Sequence, residues 1–527
     1  MMEMNTDFRK MRCNCLWLSL LFLLLTPSFG SAQSPDSTVT MAAGKHYLRS
    51  GFHRFWWGSH YRKVWAQPVQ APLLWVSTFQ GGVKPVKEGG SFQTKNLRLV
   101  DSVGHEYVLR SIDKDPSGAL PEFLQKTFVA RLMRDQTSVI HPYGAFIVPA
   151  LASAANVYHT NPRLVVIADD AGLGPFRKDF ANMLALLEER PDGNWENLNS
   201  FGNPSLIVSS RKAFGELLKH PEHQVDARRY LRSRLFDMWL SDWSRREDQW
   251  RWGVGGENET VTYAPIPRDR DHAFFKFNDG VLTKLVSLFK KNYQSFDGSI
   301  VGSNVAGLIM ASKQMDSYLL AYLSEQEFTQ EALALQQKLN DQVIVGALQN
   351  WPPQIKELTQ AEFTKKLKDR RQDLPEAATA FYRQLNRHVK LAGTAERDLF
   401  QLEFRPDGSL TVQHWSQPKG GERQLWHQKT FYPAETRSLA IYGLGEEDEL
   451  KLTGKGKSQM KISWYGGEDT DKISLADSFD LSGKKIKVLD EEDGNEYPAH
   501  KRIHYRGYSP KANEFTVEGW LLRHRLH

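Results

Sequence analysis

Two short acidic stretches frame the chemistry open to this chain of 527 residues: DWSRREDQW over 242–250 and PRDRDHAFF over 267–275. The first carries Asp248 with Gln249 and the second Asp269 with Asp271, residue types that hold Mg²⁺ or Mn²⁺ against phosphate oxygens. Phosphoryl transfer asks little covalent chemistry of a protein. It does ask for such metal ligands, a cation on the phosphates and a polar group that orients the acceptor hydroxyl. Asp242, Ser244 and Arg245 are the candidates for that last task. About twenty residues separate the two stretches, with the Gly-, Glu- and Asn-rich insert GVGGENET between them, a spacing that suits two elements joined by a hairpin. A second reading stays open: Trp239, Trp243, Trp250 and Trp252 are core aromatics and the charges form a solvated ion-pair cluster.

The elements that must position these residues lie on both sides. From Leu73 to Ile112 the pattern is strand-like, with NLRLV and YVLRSI alternating around the turn Ser102-Val103-Gly104. Gly89 and Gly90, just before that hairpin, let backbone amides approach a phosphate, and Arg110 or Lys114 supplies the cation. Helical patterns fill 118–157. A strand over Arg163–Ala168, a loop with Gly172 and Gly174, and the segment ANMLALLEERP follow, placing Glu188 and Glu189 where two halves of the region meet. From Leu206 to about Leu391 apolar residues recur every three or four positions, as in YLRSRLFDMWL and EALALQQKLNDQVIVGAL. Strands, helix, strands and then a helical half is the two-lobed order of a kinase-like fold.

Beyond Gly393 short alternating strands take over, and GLGEEDEL (443–450) and GGEDTDKI (466–473) share a Gly, Asp and aliphatic register. An offset of that kind suits successive coils of a β-roll. The second copy follows most of the calcium β-roll pattern, which makes Asp469 and Asp471 candidate Ca²⁺ ligands. The N-terminus has a basic start, an apolar run over 16–25 and small residues at 30–32, the anatomy of a secretory signal peptide. Both cysteines, Cys13 and Cys15, lie within it. The net charge of +6 is mild, no basic stripe argues for nucleic acid, and no later run is read as a transmembrane segment. The aromatic, basic segment FHRFWWGSHYRKVWAQPVQAP is expected as an N-terminal strap over a core, with a membrane-surface patch as the alternative. His141, His159, His220 and His223 show no metalloprotease spacing and are expected at the surface or as caps.

These phrases, with YVLRSIDKDPSGALPE, DQTSVIHPYGAF, LEERP and LKDRRQDLPEAA, resemble a secreted Bacteroidetes family in which a kinase-like region precedes a BamA/TamA-type (surface antigen) outer-membrane barrel. More distantly, DWSRREDQW followed by PRDRDHAF is similar to the loops of the spore-coat CotH kinases and the secretory-pathway casein kinases. The resemblance implies Asp269 as metal aspartate, Arg110 (or Lys114) in place of the strand lysine and Asp248 or Gln249 as second metal ligand. Two departures stand out: Ser244 replaces the catalytic aspartate and Arg246 the histidine. A serine hydroxyl is no general base near neutral pH, and losing such a base typically costs about 10² to 10⁴ in rate. Such relatives need many further residues for a barrel, whereas the sequence here stops at WLLRHRLH, so a soluble periplasmic form, or a barrel encoded separately or lost, is expected.

The expectation is therefore an α+β protein. It comprises a signal peptide (1–32), a strap (33–75), a two-lobed protein-kinase-like region with a β-rich N-lobe (76–195) and a helical C-lobe (196–395), and a C-terminal all-β, β-roll or sandwich-like, domain (396–527). It is expected to be exported, to the periplasm, outer membrane or cell surface, and to bind ATP with Mg²⁺ or Mn²⁺ as a degenerate phosphotransferase. The alternative is a non-catalytic accessory of an outer-membrane or envelope protein partner.

Overall fold

The computed structural model describes residues 37–89, 94–490, 494–507 and 515–526. The signal-peptide region, both cysteines and Gly90 lie outside the described residues.

Seven strands form the first sheet: β1 (Thr38–Ala42), β2 (Pro68–Leu74), β3 (Lys84–Gly89), β4 (Asn96–Val100), β5 (Glu106–Ser111), β6 (Arg163–Ile167) and β7 (Leu184–Glu189). Their order is β1-β2-β6-β7-β5-β4-β3. Alternation in NLRLV and EYVLRS buries Leu97, Leu99, Tyr107 and Leu109 on one face and turns Arg98 and Arg110 to the other. The segment expected as a strap instead supplies β1 and β2, so residues 38–74 extend the sheet. Pro68 and Pro72 are tolerated there because β2 meets β6 only at Leu73 and Leu74, leaving no ladder bond for the prolines to donate on that side.

A four-stranded sheet follows, in order β8-β10-β11-β9, from β8 (Leu206–Ser209), β9 (His223–Val225), β10 (Trp250–Gly255) and β11 (Val261–Pro267). The expected hairpin is β10 and β11, antiparallel from Trp250↔Pro267 to Gly255↔Thr262. On this sheet pack the helices Ser210–Lys219 and Ala227–Trp239, and Glu325–Lys338, Pro353–Gln372 and Leu374–Asn386 pack in turn against Ala227–Trp239. Asp226 caps the helix Ala227–Trp239 by accepting from Arg229 N–H at 2.9 Å. That helix is buried from Ser233 through Trp239, and Trp239, Trp250 and Trp252 are wholly enclosed. The stretch Phe128–Ala155 is long and apolar enough to cross a membrane, but 67% of its apolar window is buried inside the fold.

The C-terminal strands are β12 (His388–Ala392), β13 (Asp398–Phe404), β14 (Leu410–Ser416), β15 (Gln424–Phe431), β16 (Ser438–Leu444), β17 (Glu449–Ser458), β18 (Lys461–Gly467), β19 (Lys472–Leu475), β20 (Asp480–Gly483), β21 (Ile486–Asp490) and β22 (Ile503–Gly507). One sheet is β12-β16-β18-β21-β22, parallel throughout. In the other, β13, β17, β19 and β20 are parallel, and β14 and β15 form a hairpin on its edge. The chain crosses between the sheets at each coil, and Ser438↔Lys461 and Glu449↔Lys472 pair across successive coils. Their shared core contains Phe400, Leu402, Leu450, Ile462 and Trp464. The chain then leaves the strands for a helix, Val517–Arg523, which packs against the helix Ser210–Lys219, so the segment after 396 is not wholly β.

At the corner of each coil a glycine precedes an inward aspartate by five residues: Gly393 and Asp398, Gly443 and Asp448, Gly466 and Asp471. Asp448 Oδ1 accepts from Asp398 N–H at 2.7 Å, Asp471 Oδ1 from Asp448 N–H at 2.8 Å, and Asn495 Oδ1 from Asp471 N–H at 2.7 Å. This column of side chains ties coil to coil. Asp490 stands where the pattern would put the fourth glycine. Its Oδ2 lies 1.8 Å, and Asp471 Oδ2 2.0 Å, from where a Cβ at Gly466 would stand. Only glycine lets those two carboxyl groups meet.

Candidate functional site

A cleft of about 530 Å³ opens between the seven-stranded sheet and the loops that leave the helix Ala227–Trp239 and strand β11. Gly89, Arg110, Lys114 and Glu188 line it from the first side, and Ser244, Asp248, Gln249, Asp269 and Asp271 from the second. Nine of the residues singled out from sequence therefore face one space.

At its base Arg110 is held between two acids. Its Nη2 meets Glu188 Oε1 at 2.7 Å and its Nη1 meets Asp269 Oδ1 at 2.7 Å. Both partners follow from local structure. Tyr107↔Glu189 through Ser111↔Ala185 set β5 beside β7, so Glu188 and Arg110 project from the same face two residues apart along the ladder. Asp269 arrives from the opposite side, just past the end of β11, in a left-handed turn with φ of 55°. Lys114 Nζ pairs with Asp271.

Burial alone would raise Asp269, but Arg110 and then Lys114 outweigh it and hold the carboxyl well below the usual range. Its neighbour Asp271 is pushed the other way, by burial and by the Asp269 charge. Glu188 is also raised by burial, against the pull of Arg110. Arg268 is drawn down to about 10 by burial and then by Arg251 and Arg110. Lys87, Arg98, Arg190, Arg246 and Arg268 complete the rim, so the cleft favours an anionic ligand.

Several expectations need correction. Asp242 is 1% exposed and lies beneath the cleft floor, where burial pushes it up to about 6. Arg245 is also enclosed. Its Nε meets Asp237 Oδ2 at 3.1 Å, and its Nη1 donates to Arg268 O at 2.9 Å and to Asp269 O at 3.4 Å. It positions the Asp269 turn and reaches no ligand. Asp248 lines the rim but is exposed and paired with Arg246 at 3.1 Å. The three metal aspartates named from sequence do not converge within coordination distance: among the described residues one cluster of three metal-ligating side chains is that close, His220, Glu222 and Glu396. Asp471, named for Ca²⁺, is buried in the coil-to-coil column, whereas Asp469 is exposed. They do not form a common site.

Sequence reasoning passed over the foundation of the cleft. Asp237 is fully buried among Arg234, Arg245 and Arg270, and Arg234 reaches on to Asp316 at 2.9 Å. This network anchors the end of the helix and both loops at once. Its signal was the density of Arg and Asp in RSRLFD, SRRED and RDRD, which on its own reads as surface charge. His272, which also lines the cleft, was missed as well, and Trp243, read from sequence as a core aromatic, lines it too.

The fit to a divalent cation with a polyphosphate is carried by one unmatched acceptor beside the acidic pair. Gln249 Oε1 is buried without a donor. Asp269 Oδ1 already has Arg110 Nη1 at 2.7 Å. A buried acceptor without a partner is costly. Both residues lie in the cleft wall, and Gln249 Oε1 is left for a cation or a donor from a ligand.

No family model matches the chain, and no curated protein matches it. Among solved structures, the proinflammatory kinase CtkA of Helicobacter pylori aligns over 54% of this chain and 92% of its own, at 9% identity and a TM-score of 0.27. Amicoumacin kinase hAmiN, solved in complex with AMP-PNP, Ca²⁺ and Ami, aligns over 56% and 90%, at 12% identity and a TM-score of 0.13. Likenesses this loose say nothing of the chemistry of the cleft.

Proposed function

We propose that this chain is an exported, two-lobed kinase-like protein of the cell envelope whose cleft binds a nucleoside triphosphate with a divalent cation. The observation that carries the reading is Arg110, held between Glu188 of the sheet and Asp269 of the helical half at the base of one cleft. A cation pinned by an acid on its own sheet and facing a metal-type aspartate from the other half is what phosphate positioning requires. Asp269, Asp271 and Gln249 would hold Mg²⁺ or Mn²⁺, which neutralises charge on the phosphates when bound. Arg110 and Lys114 then serve the phosphate oxygens, and the cationic rim draws the ligand in.

Transfer to an acceptor would call for a general base in the cleft. Ser244 lines the cleft where a general base is wanted, and Asp242 is walled off beneath it. That favours the second reading as well, a nucleotide-binding accessory of an outer-membrane assembly with little or no transfer.

The test is calorimetric titration of ATP with Mg²⁺ or Mn²⁺ into the chain, beside Asp269→Ala and Arg110→Ala. Metal-dependent binding lost in both variants supports the reading. Binding unchanged in either one, or none with either metal, removes it.

A further inference from the structure

The helix Val281–Phe289 is mounted inside out. Its apolar residues Val281, Leu285, Leu288 and Phe289 recur at the spacing that a globular helix buries, yet all four are exposed, Phe289 at 80%, and Thr283 is its one buried residue. Against it packs the helix Gly51–Trp57, which buries none of its residues and presents Phe52, 78% exposed, and Phe55. Two neighbouring helices thus direct their large apolar side chains at solvent.

The mounting is built rather than loose. A Cβ at Gly280 would stand 2.3 Å from Gly58 N, so the two segments touch backbone to backbone. Gly58 has φ of 93°, a conformation that favours glycine. Asp279 then clasps the opposite segment, meeting His60 Nδ1 at 2.6 Å and accepting from its N–H at 2.7 Å. A contiguous apolar face held this firmly and left uncovered marks an interaction surface.

Charge says what covers it. No Asp or Glu occurs between Ser37 and Lys87, nor between Val281 and Phe296, whereas Lys284, Lys290 and Lys291 flank the apolar tips and are exposed. We propose that this face is a docking surface for an anionic lipid bilayer, with Phe52, Phe55, Leu285, Leu288 and Phe289 entering the acyl boundary and the lysines resting among the headgroups. Aromatic and aliphatic tips flanked by lysine, with no acidic residue in either helix, are the composition of interfacial helices. None of these residues lines the cleft, so the test is independent of nucleotide binding.

The experiment is vesicle flotation of the full chain with phosphatidylglycerol-containing vesicles and with phosphatidylcholine vesicles, in low and high salt. Binding is expected to favour the anionic vesicles and to weaken in high salt. Phe52→Ser with Phe289→Ser should lower partitioning at least about tenfold, and Lys290→Ser or Lys291→Ser about fivefold each. These side chains are exposed, so unchanged circular-dichroism melts will show that the variants fold. Absence of binding to anionic vesicles, or binding indifferent to the variants, overturns the proposal. So does a dimer in sedimentation velocity that the Phe52→Ser, Phe289→Ser protein loses, which would mean that a second copy covers the face.

Discussion

Asp471 offers a pH dependence of unusual sign. It is buried in the column at the coil corners, and burial, followed by the facing Asp490, pushes its carboxyl up to about 9. In the unfolded chain the same group titrates near ~3.9. Between those values the native state holds one proton that the unfolded chain lacks, so stability falls as pH rises, opposite to the usual paired carboxylate. The contribution is fully present below the unfolded value and lost as pH climbs through the folded one. Its slope is about 1.4 kcal/mol per pH unit, or roughly 2.7 kcal/mol from pH 6 to pH 8. Lys429, drawn down to about 7 by burial, titrates in the opposite sense above that pH. The quantity to measure is therefore the difference between wild type and Asp471→Asn in urea melts at each pH. Asparagine keeps the Oδ1 acceptor for Asp448 N–H, as Asn495 does for Asp471 N–H, but has no proton to lose. Asp471→Asn should gain on wild type by about 2 to 3 kcal/mol across that window. A difference that stays flat with pH refutes the argument. So does a calcium-dependent rise in the wild-type midpoint that the variant lacks, which would return Asp471 to the role of a Ca²⁺ ligand.

Asp237→Ala leaves Arg234, Arg245 and Arg270 buried without their common partner and should cost about 3 to 5 kcal/mol in calorimetric or urea unfolding. Lys429→Met abandons Ala321 O, Leu323 O and Asn386 Oδ1, which Nζ reaches at 2.9, 2.6 and 2.6 Å. It should destabilise by about 2 to 4 kcal/mol and hasten proteolysis where β15 meets the helices. Ser244→Asp puts a carboxylate on the cleft wall and should raise ATP hydrolysis about 10²-fold if a base is all that is missing; ADP release measures it, and no rise favours the accessory reading.

The parts of the fold that sequence made legible are those in which local pattern and global placement agree. The hairpin β10–β11 follows from its glycine-rich turn, and the coil offset from the repeat of Gly, Asp and aliphatic positions that aligns Glu449 with Lys472. The N-terminal segment reads from sequence as a strap, and the strands within it are compatible with Pro68 and Pro72 because a proline disturbs a strand only where its missing N–H is wanted. Along β2 the neighbour that would want it begins one residue beyond Pro72.

For the site, convergence was legible and depth was not. Arg110, Glu188, Asp269 and Asp271 could be grouped because metal and phosphate chemistry requires those types together, whatever their separation in the chain. Asp242, Arg245 and Asp471 are of the same types, and composition gives no sign that they point inward, since a charged residue is enclosed only when a partner from elsewhere meets it. For Arg245 that partner is Asp237, eight residues earlier and one face of a helix away. For Asp471 it is Asp490, admitted by the absent side chain of Gly466. The same reasoning separates Ser244 from Asp242. The residue that looks disabled is the one on the cleft wall, and the intact aspartate is the one bound into the floor.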